Sequence, residues 1–482
     1  MLVDKTVEAI IETQNLLLSH NLVDPKTIDN NIHAVVIGSG IAGLLAARVL
    51  TNHFAKVTII ERDYLSSQSE PRRGVPQSQQ PHLLLTRGQI ILEQLFPGIK
   101  DELATHEATL IDWTADFKWL LPGGWNPGFS SGITSRTCTR NLLETVIRQR
   151  LFSNKKVEFL EGTTVINLLT DTTQSFVKGV CLRDSKGVEV NLNTQLVVDA
   201  SGRKSHAIKW LKNLGYEVPQ ETKINSFLGY ASRLYQVSDD SYLDYKALYI
   251  MPKAPTNPRG AVLYRVESNR FLVNLIGVGR DYPPTDEDGF LNFAQSLRSP
   301  QIYEAIKNAL PLSPINGYQG TDNCWRHYER LPKFLENFIV LGDAVCAFNP
   351  VYAQGMTVAA LGALTLDECL KKHKRFSGNG NISLGLSRRF QKQLAKVNAE
   401  PWLASTGYDL RWPKTEGGKA SFVTRLMQRY MDQIMIVAVK NAFVYKLLIE
   451  VIHLLKPPTV FFQPAILTQV LKLQVQRLYC RS

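Results

Sequence analysis

Three short segments of this chain hold the residues whose types and spacing could do chemistry. The first is Gly38-Ser39-Gly40-Ile41-Ala42-Gly43, followed 21 residues after Gly40 by Glu61 and then Arg62. Gly38 permits a tight turn, Gly40 lets the backbone approach a ligand, and Gly43 lets a helix pack close to a strand. A pyrophosphate would rest on the unpaired N–H groups of that helix, and Glu61 would accept hydrogen bonds from a ribose. The second segment is Asp199-Ala200-Ser201-Gly202; the third is Gly342-Asp343, running on through Asn349-Pro350 to Gly355-Met356. An acid at a strand end followed by small residues suits hydroxyl recognition and equally suits a plain turn. The chemistry expected is that of a bound dinucleotide cofactor, with no serine triad or paired-carboxylate system required.

The elements that must position these residues read as apolar runs. His33–Ile37 is short and rich in β-branched residues, as a buried parallel strand should be, and 44–50 is a good helix former. Lys56–Ile60 is a second strand ending at Glu61, so strand, glycine turn, helix, strand and acid follow in order. Residues 195–199 and 338–341 read as further strands, and 357–370 as a small-residue helix. A different texture separates them. Residues 101–135 carry Trp113, Phe117, Trp119, Trp125 and Phe129 among prolines and glycines. Within 222–330, the runs 260–266 and 271–276 read as a hairpin turning at Glu267–Arg270.

With 482 residues the chain is long enough for two or three packed units, and its 44% hydrophobic and 20% charged composition is that of a globular protein. The net charge of +12 is uneven: 371–482 carry 19 Lys+Arg against 5 Asp+Glu, whereas 1–370 carry 36 against 38. Such a tail fits a solvated helical face or peripheral contact with an anionic membrane surface; no nucleic-acid partner is expected. Six scattered cysteines without a C-x-x-C pair and nine dispersed histidines give no disulfide framework and no metal site, and suit the cytoplasm. The apolar stretch 434–455 is interrupted by Lys440, Lys446, Glu450 and His453, which predicts an amphipathic helix rather than a membrane span. Lys446 and Glu450 are spaced to pair along it.

On these motifs the sequence resembles the class A flavoprotein monooxygenases, the fold of the aromatic hydroxylases. The resemblance implies non-covalent FAD, with Gly38, Gly40, Gly43, Glu61, Arg62, Arg140, Asp199, Gly202, Gly342, Asp343, Gly355 and Met356 as cofactor-binding residues. Arg140 matches the family's helix-start arginine near the pyrophosphate; Arg62 either stacks on adenine or is solvated. Asp199 departs from the family's adjacent Asp-Gly, because Ala200 and Ser201 intervene. A closer similarity, to the bacterial polyether epoxidase subgroup, rests on three stretches. These are Arg72-Arg73-Gly74-Val75-Pro76-Gln77 with His82, the run from Gly342 to Thr357, and His453-Leu454-Leu455-Lys456-Pro457-Pro458. It makes Arg73, Gln77 and His82 catalytic candidates, although His82 also reads as a structural histidine. The implied reaction uses NAD(P)H as transient reductant and O2. It inserts one oxygen atom, by epoxidation or hydroxylation through a flavin C(4a)-hydroperoxide, into an apolar polyene- or polyketide-like substrate. A reductase of isoprenoid double bonds and a membrane-surface FAD-binding protein are the alternatives.

The fold expected is α/β: a Rossmann-like FAD-binding domain, an interleaved β-sheet substrate domain and a C-terminal helical region. Its boundaries are an N-terminal helical extension over 1–30; a discontinuous FAD-binding domain over 31–100, 136–221 and 331–400; a substrate-binding domain over 101–135 and 222–330; and helices over 401–482.

Overall fold

A computed structural model describes residues 32–66, 79–236, 243–374 and 384–479. The N-terminal helical extension expected over 1–30 and the stretch from Arg72 to Gln77, with Arg73, lie outside the described residues.

The apolar strands assemble as their composition dictates. His33–Ile37 is central in a five-stranded sheet ordered Phe338–Val340, Leu196–Asp199, His33–Ile37, Lys56–Ile60, Val157–Leu160, and every pairing is parallel. Both faces are covered, which is why the strands are apolar throughout rather than alternating. Helix Ile41–Leu50 packs on helix Gly355–Lys374, and a three-stranded antiparallel sheet (Thr164–Thr170, Val177–Arg183, Glu189–Asn193) adjoins the strand Leu196–Asp199.

The aromatic blocks form a second sheet of seven strands. Its order is Asn316–Tyr318, Gly229–Gln236, Arg270–Gly277, Arg259–Val266, Ala247–Ile250, Phe117–Leu121, Gly124–Trp125. The predicted hairpin is present: Val266 pairs with Arg270, and Ser268 and Asn269 adopt the left-handed backbone of its turn. One face of this sheet packs Phe271, Val273 and Leu275 against Phe290 and Phe293 of helix Glu287–Gln295. The opposite face carries Trp119, Tyr249, Val262, Asn274 and Ser232 in cross-strand register.

The C-terminal helices Leu386–Asp409, Phe422–Ala438, Ala442–Ile452 and Pro464–Tyr479 close the molecule. The amphipathic stretch expected over 434–455 is interrupted, because Asn441 caps a new helix with its side chain accepting from the Val444 N–H. Glu450 pairs with Lys456 at 2.8 Å instead of with Lys446. His453, expected on the charged face, is 2% exposed. Its Nδ1 accepts from the Thr86 backbone N–H at 3.1 Å, and its ring lies 4.8 Å from that of Trp113. Burial holds the His453 pKa down at about 3, so it is neutral at physiological pH. No described helix is long and apolar enough to cross a membrane.

These helices share a core with the second sheet: Ile434, Tyr445, Leu448 and Phe461 pack with Leu85, Trp113 and Trp119. Deleting 421–482 would uncover several fully buried side chains, each worth roughly 1.5–3 kcal/mol of burial, a total beyond ordinary domain stability. The truncated chain is therefore expected to be insoluble and flavin-free on expression; a soluble truncation that retains flavin, read by absorbance, would show the helices to be a detachable appendage.

Candidate active site

The glycine turn is built by a close approach. A Cβ placed on Gly43 would sit 1.9 Å from the Gly38 carbonyl oxygen, and Gly38 itself has φ +96°. Only glycine fits either position, so helix Ile41–Leu50 starts hard against the strand that feeds it. No side chain caps that helix start and no acid occupies its first turn, so its leading N–H groups are available to an anion. Glu61, 6% exposed, accepts from the Ser39 N–H at 2.9 Å and the Ser39 hydroxyl at 2.7 Å, which fixes the turn.

From this turn runs a cleft of about 600 Å³. Gly38, Gly40, Glu61 and Arg62 line one end, Gly202, Arg203 and Arg140 the middle, and Asp343, Gly355 and Met356 the other. Ten of the predicted positions thus line one cleft once His82 is included. Gly43 and Gly342 serve it from behind: Gly342, at φ +66°, lets its loop press to within a Cβ–Cβ distance of 2.8 Å of Ala42, were it any other residue.

Asp199 differs from expectation. It is fully buried and does not line the cleft; its carboxylate accepts from the Ser201 N–H and hydroxyl and from the Ser205 hydroxyl. The inserted Ala200-Ser201 lets the acid fold back onto its own loop, so it organises the Gly202-Arg203 turn rather than facing the cavity.

Arg140 starts its helix as predicted, with Nη2 lying 3.9 Å from where a Gly40 Cβ would be. Its Nε donates to Glu144 at 2.7 Å, and its Nη1 donates to His82 Nε2 at 3.0 Å. His82 Nδ1 in turn donates to the Gln80 carbonyl at 2.8 Å. Burial, with the neighbouring Arg140 charge, lowers the His82 pKa to about 3. A neutral ring with both nitrogens engaged orients the arginine and has no proton to exchange near neutral pH.

Several residues that sequence reasoning passed over complete the site. Arg203 donates to the Asp322 carbonyl at 2.8 Å and the Phe348 carbonyl at 2.9 Å, bridging two walls; its position directly after Gly202 was the available signal. Asp409, from the end of a C-terminal helix, accepts from Asn323 Nδ2 at 2.7 Å, Asn349 Nδ2 at 3.1 Å and Tyr352 OH at 2.7 Å. It clamps the loop that leads to Gly355, and no local pattern announces it. Beside that loop, Gln354 Oε1 and Thr357 Oγ1 are buried without a partner, and neither residue lines the cleft.

An elongated dinucleotide fits these observations: free helix N–H groups and Arg140 for a pyrophosphate, Glu61 for a ribose, and Asp343 with the N–H groups opening helix Gly355–Lys374 for the other end.

Burial raises the Asp409 pKa to about 6, against the pull of its hydrogen-bond donors. An acid raised in the folded state stabilises it fully below the unfolded value near 3.8, and that contribution is lost as pH rises through about 6. Asp409→Asn cannot titrate, so the stability of wild type relative to the variant should fall between pH 4 and 7 by roughly 2–3 kcal/mol. Thermal or urea denaturation measures it, and a difference independent of pH would contradict the raised pKa.

The model of a family described as "FAD binding domain" matches residues 31–380. Protein Rv3254 of Mycobacterium tuberculosis is 29% identical over 388 residues, 78% of this chain and 80% of that protein. Squalene monooxygenase 1,1 of Brassica napus is 24% identical over 355 residues, 74% of this chain but 66% of its own length. Among solved structures, the flavin-dependent brominase Bmp2 superposes with TM-score 0.59 at 15% identity, covering 84% of this chain and 93% of that one. At such identity the likeness is one of fold.

Proposed function

This chain belongs to the FAD binding domain family, and from that premise we propose that it is an NAD(P)H-dependent monooxygenase acting on an apolar, alkene-bearing substrate. FAD, when bound, supplies the redox chemistry: substrate, O2, NAD(P)H and a proton become oxygenated substrate, NAD(P)+ and water. The observation that carries the proposal is that the aromatic face of the seven-stranded sheet meets the loop leading to Gly355: Ala353 packs with Trp119, Tyr249 and Tyr264 in one apolar cluster, and Tyr318 of the same sheet lines the cleft together with Asp343. The similarity to a squalene monooxygenase supports the same reading. The polyether epoxidase subgroup remains a proposal on the sequence motifs alone.

The chain's own residues have assignable tasks. Gly40, the helix N-terminus and Arg140 hold the pyrophosphate, with His82 keeping the arginine in place. Glu61 accepts the adenosine ribose hydroxyls, with Arg62 exposed at the mouth beside it. Asp343 takes hydroxyls of the ribitol chain, and the N–H groups opening helix Gly355–Lys374 favour negative charge on the cofactor's ring system. Gly202 and Arg203 form the floor between them. Asp409 acts through Asn349 and Tyr352 as a positioning residue. Substrate oxidation then needs orientation and dryness more than protein acid–base chemistry.

If these assignments hold, Glu61→Ala should weaken FAD by about 10- to 100-fold, the value of hydrogen bonds to a charged acceptor, while FMN, which lacks the adenosine ribose and meets only the turn that Glu61 fixes, should lose clearly less. In the wild-type holoenzyme, apolar alkenes should accelerate NAD(P)H oxidation severalfold. Equal losses for FAD and FMN would place the ribose elsewhere, and unaltered NAD(P)H oxidation with every alkene tested would count against the substrate class.

A membrane surface is the second partner we propose. Phe422, Val423 and Leu426 on one C-terminal helix and Leu467, Leu471 and Val475 on another are all exposed, and these helices pack together. Exposed Arg425, Arg429 and Lys472 stand among them, the apolar-plus-basic pattern of an interfacial helix. Binding to vesicles containing anionic lipid, reduced by salt and by Phe422→Ser with Leu471→Ser, is the expected result; no sedimentation with such vesicles would remove the membrane from the account.

A further inference from the structure

The inner face of the seven-stranded sheet carries one continuous cross-strand row: Trp119, Tyr249, Val262, Asn274, Ser232, Asn316, each paired with the next in register. Neighbouring strands lie about 4.8 Å apart, so the row is a straight track some 24 Å long across six strands. It begins beside the cleft, since Tyr318, two residues from Asn316 and on the same face, lines the cavity. It ends under the C-terminal helices, where Trp119 stacks on Tyr249 at 6.0 Å.

The chemistry of the track is uneven. Its Trp119–Val262 portion is aromatic and apolar. Its cleft end is polar and incompletely satisfied. Asn274 is 5% exposed, yet its Oδ1 has no hydrogen-bond partner and its amide makes no other side-chain bond. Gln80, 4% exposed, donates from Nε2 to the Asn316 carbonyl at 3.0 Å, and its Oε1 is likewise unpartnered. Ser232, between them, donates to the Gln79 carbonyl at 3.0 Å and so ties the Gln79–Gln80 segment to the row. Gln80 immediately precedes Pro81, His82 and Leu83, all of which line the cleft.

Buried amides without partners are costly, and a strand position this buried could have held Leu or Val at 274. Two unmet acceptors flanking Ser232, at the end of the row nearest the cleft, are what a ligand's hydrogen-bond donor would satisfy. We propose that Asn274 and Gln80 form a hydroxyl-recognition subsite, so that the substrate is an apolar chain bearing a hydroxyl group rather than a pure hydrocarbon. The inference rests on the monooxygenase reading above for the identity of the chamber, and it sets the polar group of the substrate near the cofactor with the apolar chain lying toward Trp119.

The test uses binding to the FAD-loaded full chain, read as the perturbation of its visible absorption, with farnesol and β-farnesene as a matched alcohol and hydrocarbon. Farnesol should bind about tenfold more tightly. Asn274→Leu should abolish that preference by weakening farnesol alone, and should raise the thermal midpoint because an unpaired buried amide has gone. Asn274→Asp, which keeps an acceptor, should retain the preference, and Gln80→Met should reduce it, so the test does not hang on one variant. Equal affinities for the two ligands, equal weakening of both by Asn274→Leu, or no spectral response to either would overturn the proposal. Binding preference with neither compound oxidised in the presence of NAD(P)H would leave the subsite standing and defeat the monooxygenase reading instead.

Discussion

The cleft is referenced to a single contact: the Cα of Gly43 against the carbonyl of Gly38, too close for any side chain. That contact brings helix Ile41–Leu50 to the carboxyl end of the central strand and points its unpaired N–H groups at the space between the strands. Glu61 fixes the same turn from the neighbouring strand through Ser39. A second close approach, Gly342 against Ala42, brings the Asp343 loop to the other side of the same helix start. Backbone donors joined by the Arg140 guanidinium thus form the anion-binding subsite, and the cofactor end of the cleft inherits its shape from two glycines.

The remaining constraint is the way the C-terminal helices are bound into the sheet that they cover. Trp113 is the meeting point: its indole donates to Ser135, its ring contacts His453, and it lies in the core shared by Leu85 and Tyr445. Through Thr86, His453 reaches the segment that carries His82 and Leu83. Through Asp409, the same helical layer reaches Asn349 and Tyr352 on the loop before Gly355. The roof and the cofactor loops are therefore mechanically one body, although the outer surface of that roof is apolar and basic.

How much of this the sequence disclosed follows from the range of the interactions involved. The glycine turn, its strands and Glu61 were legible because every requirement there is local: apolar runs, a glycine spacing and an acid at a fixed offset. Arg140 lies beside the glycine turn, and only the resemblance, not its own local pattern, pointed to it. Asp199 was misjudged because an acid at a strand end looks the same whether it faces a ligand or folds back onto Ser201 and Ser205. Asp409 and Asn274 were invisible, since their significance depends on partners far away in the chain, or on the lack of any. The apolar stretch around 434–455 hid a break, because the Asn441 cap lies within a run whose hydropathy stays high.

Oxygen transfer in the chamber is the central claim, and isotope labelling addresses it most directly. FAD-loaded enzyme with NADPH, 18O2 and farnesol should give a product heavier by one 18O atom, with one NADPH consumed for each atom incorporated. A product that instead gains two hydrogens and no label would make the protein a reductase of double bonds and contradict the account.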